Sequence, residues 1–336
     1  MDGYTLLVLI GGVLLLILGG SAAARATVLA LSGSKLSPLV GWGLLYGFLA
    51  ALPELSMSLT ANLVGMSTLA LSVPIGSSIF NMLLVLGLGA LIRPVALQRQ
   101  FTWWPRLSLL LLVPSALAWA LVSDFKPHAT GQVPPVYGVV LLTVYLLLLL
   151  YLALYLQKNS QRQDVGGTET ALLRARRPRV VGAFLWGVVG ALLLGVGAWC
   201  STWAAARYAL ATGASQEWLG LLLMAPLGGL PELTGMIALR AKHNDLDLLP
   251  NLMSSSAANL LFVIGLNALL MPMPRYQYAS ADLLVLLIGN GLVMATIYIG
   301  RGHRVSRTEG AILLGGYVAY AVFIALRQPL WANMAF

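Results

Sequence analysis

The chain has 336 residues, 59% of them hydrophobic and only 9% charged, with a net charge of +9. Soluble domains carry about 25% charged residues, so the composition excludes an ordinary water-soluble fold. What remains is an all-α membrane protein, because a helix satisfies its own backbone in hydrocarbon and an open sheet edge does not.

Apolar runs of about 20 residues recur along the whole length. Hydropathy predicts ten transmembrane helices, near 4–22, 37–64, 68–92, 104–122, 135–157, 180–206, 215–239, 248–271, 281–300 and 309–327. The first is not a cleaved leader, since Met1-Asp2-Gly3-Tyr4 offers no positive charge ahead of it. Trp103, Trp104, Tyr276 and Tyr278 read as interfacial belt residues. Asn290, in the ninth span, reads as structural. The single Cys200 can form no intrachain disulfide.

The polar stretch 158–179 reads as a cytoplasmic linker between a first half, 1–157, and a second, 180–336. Five spans per half insert the second half upside down, giving two inverted-topology five-helix repeats. With both termini outside, only Lys126, Arg207, Arg275 and Arg327 of the 20 basic residues lie on the outer side. The run Arg174-Ala175-Arg176-Arg177-Pro178-Arg179 is then a topological anchor touching anionic lipid. The positive charge is accounted for without a nucleic-acid partner.

Two acids sit inside these spans, in a motif written twice. Leu52-Pro53-Glu54-Leu55 is followed by Ser77 and Asn81; Leu230-Pro231-Glu232-Leu233 is followed by Ser255 and Asn259. Each serine follows its glutamate by 23 residues (77−54; 255−232) and each asparagine by 27 (81−54; 259−232), and the copies are offset by 178 (232−54). Every other acid falls in a loop, at a span end or at the terminus; Asp245 and Asp247 read as a solvated inner loop. A carboxylate in the bilayer costs roughly 2.5–3.5 kcal/mol, so a buried pair with matched polar escorts reads as an ion site built from two halves.

Pro53 and Pro231 each remove a helical hydrogen bond just before the glutamate, freeing carbonyls at Leu49 and Leu227 and loosening those of Ala50 and Gly228. Ser77 with Asn81, and Ser255 with Asn259, are four apart and share a helix face. Two carboxylates, two amides, two hydroxyls and the freed carbonyls are all hard oxygen donors, and Ca2+ takes about 6–8 of these. His128, His243 and His303 lie in loops, so zinc or copper chemistry is not expected. Two empty glutamates side by side cannot both stay ionised, so protons or monovalent cations must replace the divalent ion.

These residues resemble the two alpha repeats of the sodium/calcium exchanger superfamily, the cation/calcium antiporters. That family carries a glycine-threonine-serine-leucine-proline-glutamate stretch followed by glycine-serine-asparagine-isoleucine-phenylalanine-asparagine. Here the first repeat shows Leu52-Pro53-Glu54-Leu55, Ser58 and Gly76-Ser77-Ser78-Ile79-Phe80-Asn81; the second shows Leu230-Pro231-Glu232-Leu233 and the run from Asn251 to Asn259. The resemblance implies Glu54 and Glu232 as calcium ligands, carbonyls such as those of Ala50 and Gly228 completing the shell, and Ser77, Ser255, Asn81 and Asn259 at flanking sodium positions. It departs where the threonine-serine pairs are replaced by Ala50-Ala51 and Gly228-Gly229, and Met236 stands opposite Ser58 (58+178).

The expectation is a monomeric, multi-pass antiporter of the cell membrane exchanging Ca2+ for Na+, not an enzyme and without a cofactor. A Ca2+/H+ antiporter on the same scaffold is the alternative, since protons need only the glutamates. A cation-binding member that no longer transports is the third reading, motivated by the missing hydroxyls.

Overall fold

The computed structural model describes residues 2–31, 47–96, 104–123, 131–160, 180–241, 248–271, 273–299 and 304–327. Most of the stretch 158–179, with Lys35, Arg99, Arg162, the Arg174–Arg179 cluster, Asp245 and Asp247, lies outside them, as do Lys126 and the three histidines.

The chain is a multi-pass helical membrane protein. Among the described residues seven helices are long and apolar enough to cross a bilayer, beginning at Gly3, Ser67, Val180, Gln216, Leu248, Ala279 and Arg307. Leu111–Ser123 and Pro135–Tyr151 are shorter apolar helices. Large apolar side chains such as Leu7, Val181, Leu210 and Leu326 face outward, as a lipid solvent permits. The helices over Ser67–Ile92 and Leu248–Leu270 are mostly buried and form the centre; Gly3–Ala30 and Val180–Thr212 are mostly exposed and flank it.

The first helix runs Gly3–Leu31, nine residues beyond the predicted 22. Hydropathy falls at Arg25, but alanines keep the helix going, and the Arg25 guanidinium lies 4.9 Å over the Trp186 ring. At its start the Thr5 N–H donates to Asp2 Oδ1 at 2.8 Å, a cap that holds the Asp2 carboxyl below the usual carboxylate range.

Helix bounds recur at the 178-residue offset. Gly47–Ala50 and Leu52–Leu63 match Ala225–Gly228 and Leu230–Ala241; Leu86–Ile92 matches Ile264–Leu270. The strand Val95–Ala96 pairs antiparallel with Arg304–Val305, and Met273–Pro274 with Gln132–Val133, so residues from before the linker pair with residues from after it.

Glycine contacts fix how Gly3–Leu31 meets Val180–Thr212. A methyl on Gly12 would sit 2.9 Å from the Gly197 carbonyl, and one on Gly19 would sit 2.8 Å from the Leu194 nitrogen beside Gly190. Gly12 thus meets Gly197 while Gly19 meets Gly190, so the two helices run antiparallel with their backbones in contact, as small residues allow. Gly197→Ala is expected to cost about 1–3 kcal/mol, because the new methyl would meet the Gly12 carbonyl at 2.8 Å. Gly195→Ala, with nothing within 4 Å of the added carbon, is the control. Thermal unfolding in detergent distinguishes the two.

Candidate functional site

Each glutamate sits at a helix break. Gly47–Ala50 stops at Ala51, and Leu52–Leu63 restarts with Pro53 in its first turn. Ala225–Gly228 stops at Gly229 before Leu230–Ala241 restarts in the same way. Proline has no N–H, so Leu49 and Leu227 lose their helical donors.

Both glutamates are fully buried, as are Ser77, Asn81, Ser255 and Asn259. Ser77 donates its hydroxyl proton to Glu54 Oε1, and Ser255 donates to Glu232 Oε1. The asparagines cross over. Asn81 Nδ2 donates to Glu232 Oε1 at 3.4 Å and to Ser255 Oγ at 3.5 Å, while the buried Asn259 amide, close to Glu54, makes no hydrogen bond through either Nδ2 or Oδ1. The two carboxylates lie within electrostatic reach of each other. Gly228 brings its backbone against Glu54, where a methyl would lie 3.2 Å from the carboxyl carbon. The six side chains and Gly228 that the motif singles out therefore converge. Ala50 is buried at the end of its short helix. Ser58 turns away, donating to the Ala70 carbonyl at 2.5 Å.

Four buried oxygens of this cluster accept no hydrogen bond: Glu54 Oε2, Glu232 Oε2, Asn81 Oδ1 and Asn259 Oδ1. Unsatisfied acceptors at such depth are costly, and a hard cation is the partner that would satisfy all four. Among the described residues no three His, Cys, Asp or Glu side chains meet.

Each asparagine is carried by a π-helical turn, Phe80–Val85 and Ala258–Val263, which also match at 178 residues (80+178; 85+178). The Leu86 N–H reaches back five residues to the Asn81 carbonyl, and Ile264 to Asn259. A π turn re-aims the residues around it and is frequent at functional sites; no residue type in the sequence announces it. Beside it, a methyl on Gly229 would sit 2.5 Å from Phe80 Cδ1 and 3.3 Å from Asn81 Oδ1. Gly229→Ala is expected to cost about 1–3 kcal/mol by displacing Phe80 and Asn81. Phe80→Leu in the same chain should recover part of that stability in thermal unfolding in detergent.

Beyond the duplicated motif, Asp282 corrects the expectation that the glutamates are the only deep acids. It sits at a span end, in the first turn of Ala279–Ile299, yet it is fully buried and paired with Arg327. The Arg327 guanidinium stacks 4.7 Å from Tyr278 and 4.5 Å from Phe323. Tyr276, expected at the lipid interface, is buried beside Asp282 together with Tyr320. Asn290 donates to the Leu111 carbonyl at 3.2 Å.

The described residues form a multi-helix membrane fold with two buried, hydroxyl-bonded carboxylates at broken helices, and broken helices are where secondary transporters hold their ions. The chain belongs to the sodium/calcium exchanger protein family, whose model matches residues 4–154 and 182–326. It is 29% identical to inner membrane protein YrbG of Escherichia coli over 327 residues, covering 96% of this chain and 97% of that protein. It is 28% identical to "Putative antiporter CaxA" of Alkalimonas amylolytica over 329 residues, covering 94% and 97%. The fold matches the sodium-calcium exchanger NCX_Mj soaked with Na+ and Sr2+, with a TM-score of 0.68, 22% identity, and 96% and 99% of the two chains covered.

Proposed function

We propose that this chain exchanges Ca2+ for Na+ across the cell membrane, through one midplane site formed by Glu54 and Glu232. Ser77, Ser255, Asn81, Asn259 and the backbone carbonyls of Ala50 and Gly228 complete it. The observation that carries the reading is the shared cluster, in which Asn81 of the first half donates to Glu232 of the second and four buried oxygens stay unpartnered. A divalent cation neutralises both carboxylates where the dielectric is low. Monovalent cations replace it at the same oxygens, and competition for one site is antiport.

The scaffold in this reading has ten spans, in halves 1–157 and 180–336 of inverted topology joined by the cytoplasmic linker 158–179, with both termini outside. The 178-residue recurrence of helix bounds and the antiparallel contact of Gly12 and Gly19 with Gly197 and Gly190 support it. Alternating access then consists of the two halves rocking about the shared ion. The Na+ and Sr2+ soaked into NCX_Mj are the ion classes this site would take.

The absent hydroxyls at Ala50-Ala51 and Gly228-Gly229 favour a second reading, in which protons drive calcium. The test is Ca2+, Sr2+ and Mn2+ uptake by reconstituted vesicles under an imposed Na+ gradient or an imposed pH gradient. Uptake driven by Na+ supports the first reading and uptake driven only by pH the second. No flux under either gradient overturns antiport and leaves a cation-binding protein.

A further inference from the structure

The two short antiparallel ladders are built to one plan. Val95 pairs with Val305, just after Leu86–Ile92 ends and just before Arg307–Arg327 begins. Met273 pairs with Val133, just after Ile264–Leu270 ends and just before Pro135–Ser160 begins. Continued two residues toward the helices, the register of the first ladder sets Arg93 opposite Arg307. In the second ladder the same two positions hold Met271 and Pro135. Arg275, the basic residue there, lies past the other end of that ladder. One copy therefore closes without a charge at these positions, so closure does not require the arginines of the other.

Facing residues of an antiparallel ladder lie about 4.5–5.5 Å apart at Cα, and like charges set opposite one another are destabilising. Arg307 Nη2 donates to the Ile92 carbonyl at 3.5 Å, one residue from Arg93. Arg304, opposite Ala96 in the same ladder, is exposed and adds a third positive charge. The acid of these segments is Glu309, and its Oε2 accepts the Ser306 N–H at 2.6 Å as part of the helix cap.

Depth completes the picture. The helix Ser67–Ile92 has 26 residues, about 39 Å at 1.5 Å per residue, against roughly 30 Å of hydrocarbon. Arg93 follows its last residue, and Arg307 is the first residue of Arg307–Arg327. Both arginines thus stand at the level of lipid headgroups, whichever way the chain is inserted. A guanidinium fork binds phosphate oxygens two at a time, and two facing forks suit one phosphodiester.

We propose that Arg93 and Arg307 form a binding site for the phosphate of an anionic phospholipid. The bound phosphate offsets the facing charges and bridges the end of Ser67–Ile92 to the start of Arg307–Arg327. These helices already meet closely, since a methyl on Gly310 would lie 2.8 Å from the Gly87 carbonyl. The site is separate from the buried glutamates and does not depend on the antiport reading.

The test titrates the purified protein in neutral detergent with phosphatidylglycerol or phosphatidylcholine, counting bound lipid by native mass spectrometry and following thermal unfolding. Phosphatidylglycerol is expected to bind more tightly and to raise the unfolding temperature further. At about 1 kcal/mol per arginine, Arg307→Gln should weaken its binding about fivefold, and Arg93→Gln with Arg307→Gln roughly 30-fold. Arg207→Gln, beside Trp203 on a flanking helix, removes the same charge elsewhere and should leave the binding unchanged. If the double variant does not fold, the single change at the exposed Arg307 decides by its fivefold loss. Undiminished phosphatidylglycerol binding in the glutamine variants overturns the proposal and leaves the arginines a role in insertion alone. Equal binding of the two lipids by the unmodified chain overturns it as well. Displacement of phosphatidylglycerol by millimolar inorganic phosphate would make this a site for a free anion and overturn the lipid assignment.

Discussion

Glu54→Gln and Glu232→Gln, each alone, are expected to abolish calcium exchange while leaving the protein folded. A unit charge pair 4 Å apart at an effective dielectric of 20 interacts by about 4 kcal/mol, and a divalent ion doubles that. Even half of the doubled figure, about 4 kcal/mol, corresponds to roughly a thousand-fold weaker binding. Glutamine keeps the shape and an acceptor oxygen, so Ser77 or Ser255 can still donate to it, and the change removes charge with little change of packing. Calcium flux in vesicles measures the loss, and retention of the native elution profile in detergent separates it from misfolding. Ser77→Ala should be milder, since the carboxylate survives and one hydrogen bond to it, of about 1.5–3 kcal/mol, is lost. An undiminished rate in either glutamine variant would remove the carboxylate pair from the mechanism.

The duplicated motif made the central cluster legible in the sequence. Glutamates at 54 and 232, with serines 23 and asparagines 27 residues on, can be found by arithmetic, and Pro53 and Pro231 mark the helix breaks. The crossed pairing was not legible, because spacing cannot say which half's glutamate Asn81 will face. The π turns at Phe80–Val85 and Ala258–Val263 were hidden too, since a change from four-residue to five-residue hydrogen bonding leaves composition untouched. The glycine crossings are invisible to periodicity in spans that are apolar all round. Asp282 was missed for a related reason. Hydropathy places it at a span end, and its partner Arg327 lies 45 residues away on another helix.

Asp282→Ala is expected to destabilise the protein by about 3–5 kcal/mol, as removal of one partner from a buried ion pair does. The guanidinium left behind would be held between Tyr278 and Phe323 with its counter-charge gone. Its route to water is poor, since its side chain is 4% exposed. Replacing both partners should be far less harmful. Asp282→Ala with Arg327→Met removes the unpaired charge and keeps an apolar side chain against the two rings, so much of the lost stability should return. Thermal unfolding of these two variants and of Arg327→Met alone, in detergent, gives the coupling. The pair joins the start of Ala279–Ile299 to the end of Arg307–Arg327, with Glu217 close enough to feel both charges. Glu217 heads the helical segment that leads, through the π turn Leu219–Met224 and the break at Gly229, to Glu232. A double variant that recovers stability but not calcium flux would place this ion pair in control of where that glutamate sits. One that recovers both would confine it to holding the last two helices together.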